Sequence, residues 1–202
     1  MEETFLEAFV RIWTGGGSLM IFLAGLAVFT YYTGFELYFH FGTGNYLKVK
    51  YDEVVEWIYS PSKAQGEVGE IIKYGFDGST SLADIQNRYA EVRAAHIPRV
   101  DRRIVFLGVL ISIAPLMGLL GTVMGMLDTF DGLTKNVGRT IDLIAGGISE
   151  ALITTQTGLM IAIPGYIIVY MVVRRRNKLD AFITRMESVS MQRMDENLKT
   201  AK

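Results

Sequence analysis

The chain has 202 residues, half of them apolar, and a net charge of −1. Its mean hydropathy of +0.28 is high for a water-soluble protein. The charge balance, with no basic stripe interleaved with aromatic residues, argues against binding of nucleic acid. The absence of cysteine excludes disulfides and cysteine metal sites. His40 and His96 are far apart in the sequence, which favours interfacial packing over a metal or catalytic role.

Residues 1–17 are predicted to form an outward-facing helix at the membrane surface. Phe5, Phe9, Ile12 and Trp13 recur at helical spacing, and Trp13 suits headgroup depth. The segment "TGGGS" at 14–18 then predicts a flexible break before the first apolar run.

Three long apolar runs predict transmembrane helices over residues 18–41, 104–127 and 143–173. Each reaches the ~20 residues that a helix needs to cross a hydrocarbon core about 30 Å thick. The predicted fold is therefore an all-α membrane protein with three transmembrane helices and long cytoplasmic helical extensions. We expect these three helices to lie in a lipid bilayer.

Basic residues predict the orientation of these spans. The segment 42–103 holds nine Lys and Arg, and the tail 174–202 holds eight, beginning with "RRR". The segment 1–17 has only Arg11, and the loop 128–142 has Lys135 and Arg139. Because basic residues favour the cytoplasm, we expect 42–103 and the tail inside, and the N-terminus and the 128–142 loop outside.

Both cytoplasmic segments show helical patterns. Pro61 and Gly66 separate two short apolar repeats, and Ser81 is a candidate N-cap for a helix that continues into the second span, although Pro98 should perturb it. The apolar positions are Val54, Val55, Ile58, Val68, Ile71 and Ile72, and in the tail Leu179, Phe182, Ile183, Met186 and Val189. These faces need partners, either each other or neighbouring subunits.

The third span, "GGISEALITTQTGLMIAIPG" at 146–165, is unusually polar. Glu150, Thr154, Thr157 and Ile161 share one helical stripe, whereas Thr155 and Gln156 lie off it. A charged residue within a membrane helix costs about 2.5–3.5 kcal/mol and faces a protein interior or water, so we expect the stripe to face a pore, a cavity or another subunit. The alternative is that the threonines and Gln156 only bind helices together, through hydrogen bonds of about 0.6–2 kcal/mol.

The second span supplies a surface of small residues. Gly121 and Gly125 form a small-xxx-small pair that allows close backbone approach, with Gly118 and the hydroxyl of Thr122 beside them. Pro115 and Pro164 each remove one backbone hydrogen bond from their span. These glycines and prolines predict either helix packing or a hinge. An enzyme is not expected, because Ser112 and Ser149 have no base nearby in sequence and no phosphate loop is present.

The segments "APLMGLLGTVMGMLDTF" (114–130) and "GGISEALITTQTGLMIAIPG" (146–165) together resemble the paired signature of the MotA/TolQ/ExbB proton-channel family, most closely its ExbB branch. The resemblance implies a pentameric ring in the bacterial inner membrane. Inside the ring it implies two ExbD-like single-span subunits, each carrying a membrane aspartate that takes up the proton. It further implies that ion flow energises a TonB-like protein for transport across the outer membrane.

By position in these motifs, the resemblance assigns the ion pathway to Thr122, Glu150 and Thr155. The helical stripe favours Thr154 and Thr157 instead. Gln156 and Thr157 depart from the small or aliphatic residues common in the family, and their oxygens suit a hard cation, so a sodium-driven member is an alternative. A TolQ-like role in outer-membrane constriction and a role as a non-conducting membrane scaffold also stay open. The four-span MotA branch fits less well.

Overall fold

The computed structural model describes residues 13, 15–43, 49, 51–60, 63–135 and 140–200. Within them the chain forms helices α1 (Leu19–Thr43), α2 (Tyr51–Tyr59), α3 (Gly66–Phe76), α4 (Leu82–Lys135) and α5 (Thr140–Thr200). No β-strand occurs in these ranges. Three helices, α1, α4 and α5, are long and apolar enough to cross a membrane. The prediction of an all-α fold with three membrane-spanning helices is confirmed.

Helices α4 and α5 are longer than the predicted spans. Helix α4 passes through Pro98 without interruption. Pro98 lacks the N–H that would bond to the Ala94 carbonyl, but both residues lie on the exposed side of α4, where water can replace that bond. The segment 128–142, predicted as a loop, is helical up to Lys135 and again from Thr140. The predicted helix over most of residues 1–17 lies outside the described residues.

The chain divides into two compact units. The membrane unit combines the described residues of Met1–Phe35 with Phe106–Val169, and the polar unit combines Glu36–Val105 with Tyr170–Lys202.

The polar unit has its own hydrophobic core. The apolar faces predicted for the middle segment and for the tail pack against each other, which is one of the two arrangements expected from the sequence. The core comprises Val54, Ile58, Val68, Ile71, Ile72, Ile85, Tyr89, Val92, Ile97, Leu179, Ile183 and Met186, with Phe182 and Val189 packed beside it.

The start of α4 carries the predicted N-cap. The Asp84 N–H donates to Ser81 Oγ at 3.2 Å, and the Ser81 N–H donates back to Asp84 Oδ2 at 2.9 Å. This reciprocal pair is a capping box, which satisfies two N–H groups that the first helical turn would otherwise leave free. Hydrogen bonds from Thr80 and Ser81 also lower the pKa of Asp84.

A buried polar contact joins α4 and α5 in this core. The Tyr89 hydroxyl lies 2.8 Å from Ser190 Oγ, and both side chains are fully buried. Burial raises the pKa of Tyr89 to about 12, although the hydrogen bond with Ser190 acts in the opposite direction. The contact fixes the register of the two helices, because any slip would leave two buried hydroxyls unpaired.

The three arginines of "RRR" have different surroundings. Arg175 donates to the Tyr38 carbonyl at 2.7 Å and lies 3.5 Å above the Tyr38 ring centroid. Arg176 donates two parallel hydrogen bonds to Asp101, from Nε to Oδ1 at 2.8 Å and from Nη2 to Oδ2 at 2.9 Å. Arg174 is exposed. Arg175 therefore binds α5 to α1, and Arg176 binds it to α4, within the polar unit. All three arginines supply the charge that predicts orientation.

Candidate functional site

In the membrane unit, α4 and α5 meet along a seam of glycines. A methyl group added at Gly118 would lie 3.0 Å from Thr155 Cα, and one added at Gly125 would lie 3.3 Å from the Ala151 N atom. A methyl group at Gly121 would overlap the Thr154 hydroxyl. The two backbones approach as closely as a small-xxx-small pattern allows. The glycines of the second span therefore serve helix packing. A hinge stays a prediction.

Thr154 is buried in this seam. Its side chain is 1% exposed, and its hydroxyl donates to the Ala151 carbonyl at 2.9 Å. The expectation that the Glu150–Thr154–Thr157 stripe faces a pore or another subunit is wrong for Thr154, which faces α4 of its own chain. Ile161 on the same stripe is also buried, in a cluster with Met20. A helical wheel identifies which residues share a face, but not which neighbour covers that face.

Thr157 and Gln156 differ in their surroundings. Thr157 is half-buried, and its hydroxyl donates to the Ile153 carbonyl of the preceding turn at 2.8 Å. Gln156 is exposed on the outward side of α5. The Thr157 hydrogen is thus consumed within the helix, whereas the Gln156 amide is open to whatever adjoins this side of the chain.

Thr155 reaches across the seam. Its hydroxyl donates a 3.0 Å hydrogen bond to the Gly118 carbonyl on α4. Thr122, one turn further along α4, is also half-buried and donates to its own helix at the Leu119 carbonyl, 2.7 Å away. Each hydroxyl has one hydrogen, and that hydrogen is already donated. Both oxygens therefore present only lone pairs to an approaching ion or water molecule. Such oxygens can accept a hydrogen bond from a hydrated proton or coordinate a cation.

Glu150 packs beneath the turn that precedes α1. A methyl group at Gly17 would overlap the Glu150 carboxylate, and Gly17 has a φ of +63°. Any other residue there would be both conformationally strained and in collision with Glu150. The sequence predicts only a flexible break at 14–18. The structure adds that its glycine makes room for the carboxylate.

A hydroxyl of α1 contacts α5 close to its proline. Pro164 cannot donate to the Met160 carbonyl, yet α5 is continuous through it. The Tyr31 hydroxyl on α1 donates to the next carbonyl, that of Ile161, at 2.9 Å. Helix α4 likewise continues through Pro115. The Tyr31 hydrogen bond therefore joins α1 to α5 one residue beyond the carbonyl that Pro164 leaves free.

The membrane unit has two outward sides of different character. The exposed side of α1 comprises the aliphatic and aromatic residues Ile21, Phe22, Val28, Phe29, Tyr32 and Phe35, among which only Tyr32 carries a hydroxyl. The exposed side of α4 and α5 is also largely apolar, but it includes Ser112, Gln156 and Tyr166.

Ser112 and Tyr166 form a contact that the sequence reasoning missed. The Ser112 and Tyr166 hydroxyls are 3.1 Å apart, and Ser112 Oγ also donates to the Gly108 carbonyl at 2.9 Å. The sequence reasoning weighed Ser112 only as a nucleophile. The signal available was a serine and a tyrosine inside two apolar runs.

Metal-binding clusters do not occur in the part of the chain that the structure describes, where no three His, Cys, Asp or Glu residues come together. The His96 ring bonds through Nδ1 to the Val92 carbonyl of its own helix, at 2.8 Å. The His40 side chain lies outside the described set.

Comparison with known proteins agrees with the motifs. Residues 63–188 match the model of the MotA/TolQ/ExbB proton channel family. The chain is 31% identical over 169 residues to a protein named putative biopolymer transport protein ExbB-like 1 from Synechocystis, covering 73% of this chain and 64% of that protein. It is 31% identical over 108 residues to biopolymer transport protein ExbB of Salmonella typhimurium, covering 53% and 43%.

A relative from another branch is at least as similar over a shorter stretch. The chain is 41% identical over 68 residues to Tol-Pal system protein TolQ of Haemophilus influenzae, covering 34% of this chain and 30% of that protein. The aligned region thus spans less than two thirds of each of these relatives. Since the family model covers more than half of the sequence, the chain belongs to the MotA/TolQ/ExbB proton channel family.

Proposed function

We propose that the chain is an ion-conducting subunit of a ring in the bacterial inner membrane, in which α4 and α5 line the conducting lumen and α1 faces lipid. The observation that carries this proposal is the presence of the Gln156 amide and the Ser112–Tyr166 contact on the exposed side of α4 and α5, whereas the exposed residues named for α1 carry only the Tyr32 hydroxyl. Polar groups facing lipid are costly, and Ser112, Gln156 and Tyr166 all lie on the exposed side of α4 and α5. Closed cyclic symmetry would turn that side of every copy toward one shared axis.

The ion path in this proposal runs past the oxygens of α4 and α5. Glu150, half-buried beneath Gly17, serves as the polar group at the periplasmic entrance. Thr122 and Thr155 follow, each with its hydrogen already donated and its lone pairs available. Thr154 acts in packing, because it is 1% exposed and lies against Gly121 of α4. Thr157 is half-buried and has donated its hydrogen, as Thr122 has, and it stays a candidate for the path.

To convert ion flow into mechanical work, that is, to act as a motor, the proposed ring requires the partners that the resemblance suggests. Two single-span ExbD-like subunits would occupy the lumen and supply the aspartates that bind and release the ion. A TonB-like protein would receive the mechanical work for outer-membrane transport. This ExbB-type role is favoured by the broader match to ExbB-like proteins. A TolQ-like role is the second candidate, because the match to TolQ is higher in identity over a shorter stretch.

The proposal is tested by ion flux through the reconstituted complex. The chain and its single-span partner are inserted into liposomes, and proton entry is followed with a pH-sensitive dye. Thr155→Val, which keeps the shape and removes the hydroxyl, should lower the flux at least about tenfold, the loss expected for one hydrogen bond to a charged species. Val28→Ala is the matched control, because Val28 is 71% exposed on α1, and it should conduct normally.

Two results would count against the proposal. Wild-type flux in Thr155→Val would exclude this threonine from the path. Disassembly of the ring in Thr155→Val, seen by native mass spectrometry, would favour the non-conducting scaffold. A sodium gradient at constant pH, applied to the same liposomes, distinguishes a sodium-driven member from a proton-driven one.

A further inference from the structure

The Ser112–Tyr166 contact lies on the same edge of the α4/α5 pair as Thr155. Tyr166 follows Thr155 on α5 by 11 residues, which amounts to three turns. On an ideal helix the two positions are about 16 Å apart along the axis and differ by only about 20° around it. Both hydroxyls contact α4, Thr155 at the Gly118 carbonyl and Tyr166 at Ser112. The two polar contacts are therefore aligned along one edge.

The direction of the hydrogen bonds determines what the pair offers to a ligand. Ser112 has one hydrogen, and it is donated to the Gly108 carbonyl. In that arrangement the 3.1 Å contact is a donation from Tyr166 to Ser112 Oγ. With its hydrogen used, the phenol oxygen has only lone pairs left. Tyr166 is 51% exposed and lies on the outward side of the chain.

The exposed phenol of Tyr166 differs from that of Tyr32 on α1 in its contact with Ser112 and in its alignment with Thr155 along one edge of the α4/α5 pair. It is a suitable group to turn toward water or a cation. The surrounding exposed residues, including Leu116, Leu159 and Ile163, are aliphatic. The pair is thus an isolated polar position in an apolar stretch, three turns of α5 beyond Thr155 in the direction of the "RRR" triplet.

We propose that the Ser112–Tyr166 pair is a second station of the ion path, meaning a second position that contacts the ion, on the cytoplasmic side of Thr155. The phenol oxygen accepts a hydrogen bond from a hydrated proton, or coordinates a hydrated monovalent cation, as it leaves the lumen. The phenol keeps its own hydrogen, which stays on the bond to Ser112. This inference rests on the proposed function, because a station requires a conducting path.

The test compares three variants with wild type in the liposome assay. Tyr166→Phe removes the acceptor and keeps the ring, and should lower the flux about tenfold without changing the mass of the complex. Ser112→Ala leaves the Tyr166 hydroxyl without its acceptor and should lower the flux by a smaller factor of about three, since the oxygen is still present but no longer oriented. Tyr32→Phe is the control, because Tyr32 is 68% exposed on α1.

The outcomes separate this inference from the proposed function. Wild-type flux in both Tyr166→Phe and Ser112→Ala, with a loss in Thr155→Val, would overturn the station and leave the conducting ring intact. Wild-type flux in all of them, Thr155→Val included, would overturn both. Dissociation of the Tyr166→Phe or Ser112→Ala ring would overturn the station in favour of a helix-binding role for the pair.

Discussion

The hydroxyl of Thr155 donates a 3.0 Å hydrogen bond to the carbonyl of Gly118, across the seam between α4 and α5. The missing side chain at Gly118 favours this close approach, since a methyl group there would lie 3.0 Å from Thr155 Cα. The glycines of one span and the threonine of the other are therefore parts of one arrangement. The close approach fixes where the Thr155 oxygen lies, and so couples the packing of the two helices to the proposed ion path.

Gly121→Ala is expected to destabilise the membrane unit. The added methyl group would overlap the buried Thr154 side chain, and overpacking of this kind costs about 1–3 kcal/mol. Thermal unfolding of the detergent-solubilised protein, followed by circular dichroism, should show a lower Tm than in wild type.

The matched control for that substitution is Gly108→Ala on the same helix. A methyl group at Gly108 would meet nothing within 4 Å, and alanine is favoured over glycine in a helix by about 1 kcal/mol. The Tm of Gly108→Ala should equal or exceed that of wild type. If both variants unfolded at the same temperature, the seam would not be as tight as we describe.

Tyr89 makes the polar unit less stable as the pH rises through the alkaline range. Burial raises its pKa from 10.0 to about 12, so the folded state holds the phenol proton more tightly than the unfolded state does. The protonated Tyr89 therefore contributes fully to the free energy of unfolding below pH 10. This contribution decreases as the pH rises from about 10 to about 12, by up to about 1.4 kcal/mol per pH unit.

Tyr89→Phe isolates this effect. At pH 8 the variant should be about 1 kcal/mol less stable than wild type, because it loses the bond to Ser190. Above pH 10 the difference should shrink and then reverse. Denaturant titrations of both proteins at several pH values measure it, and a constant difference across that range would contradict a buried, protonated Tyr89.

Arg176→Lys should weaken the polar unit more than Arg174→Lys. Arg176 makes a two-pronged contact with Asp101 that an ammonium group cannot reproduce. Because both partners are partly exposed, the expected loss is modest, about 0.5–1 kcal/mol. Arg174 is exposed and carries the same charge, so it controls for the basic cluster as a whole. Equal melting temperatures for the two variants would show that the Asp101 contact contributes nothing to stability.

The sequence predicted the features that depend on local pattern. The three spans follow from long apolar runs, the start of α4 from Ser81, and the tail's core face from the helical spacing of Leu179 and Met186. Each of these needs only the periodicity or the chemistry of a short segment. The structure agrees with all of them.

The features that were missed depend on contacts between distant segments. The sequence indicates that Glu150 and Thr154 share a stripe, but not that α4 covers Thr154 or that Gly17 lies against Glu150. Ser112 and Tyr166 are 54 positions apart and come together only once α4 and α5 pack. The continuation of α4 into the second span was predicted, but the expected perturbation at Pro98 was wrong, because whether a proline interrupts a helix depends on the exposure of the freed carbonyl.

The most direct test of the central claim is the mass of the detergent-solubilised complex by native mass spectrometry, with and without the single-span partner. The proposed motor predicts a closed ring of five copies of this chain that gains two copies of the partner. A monomer or dimer whose mass is unchanged by the partner would contradict the ring, and with it the assignment of α4 and α5 to a conducting lumen.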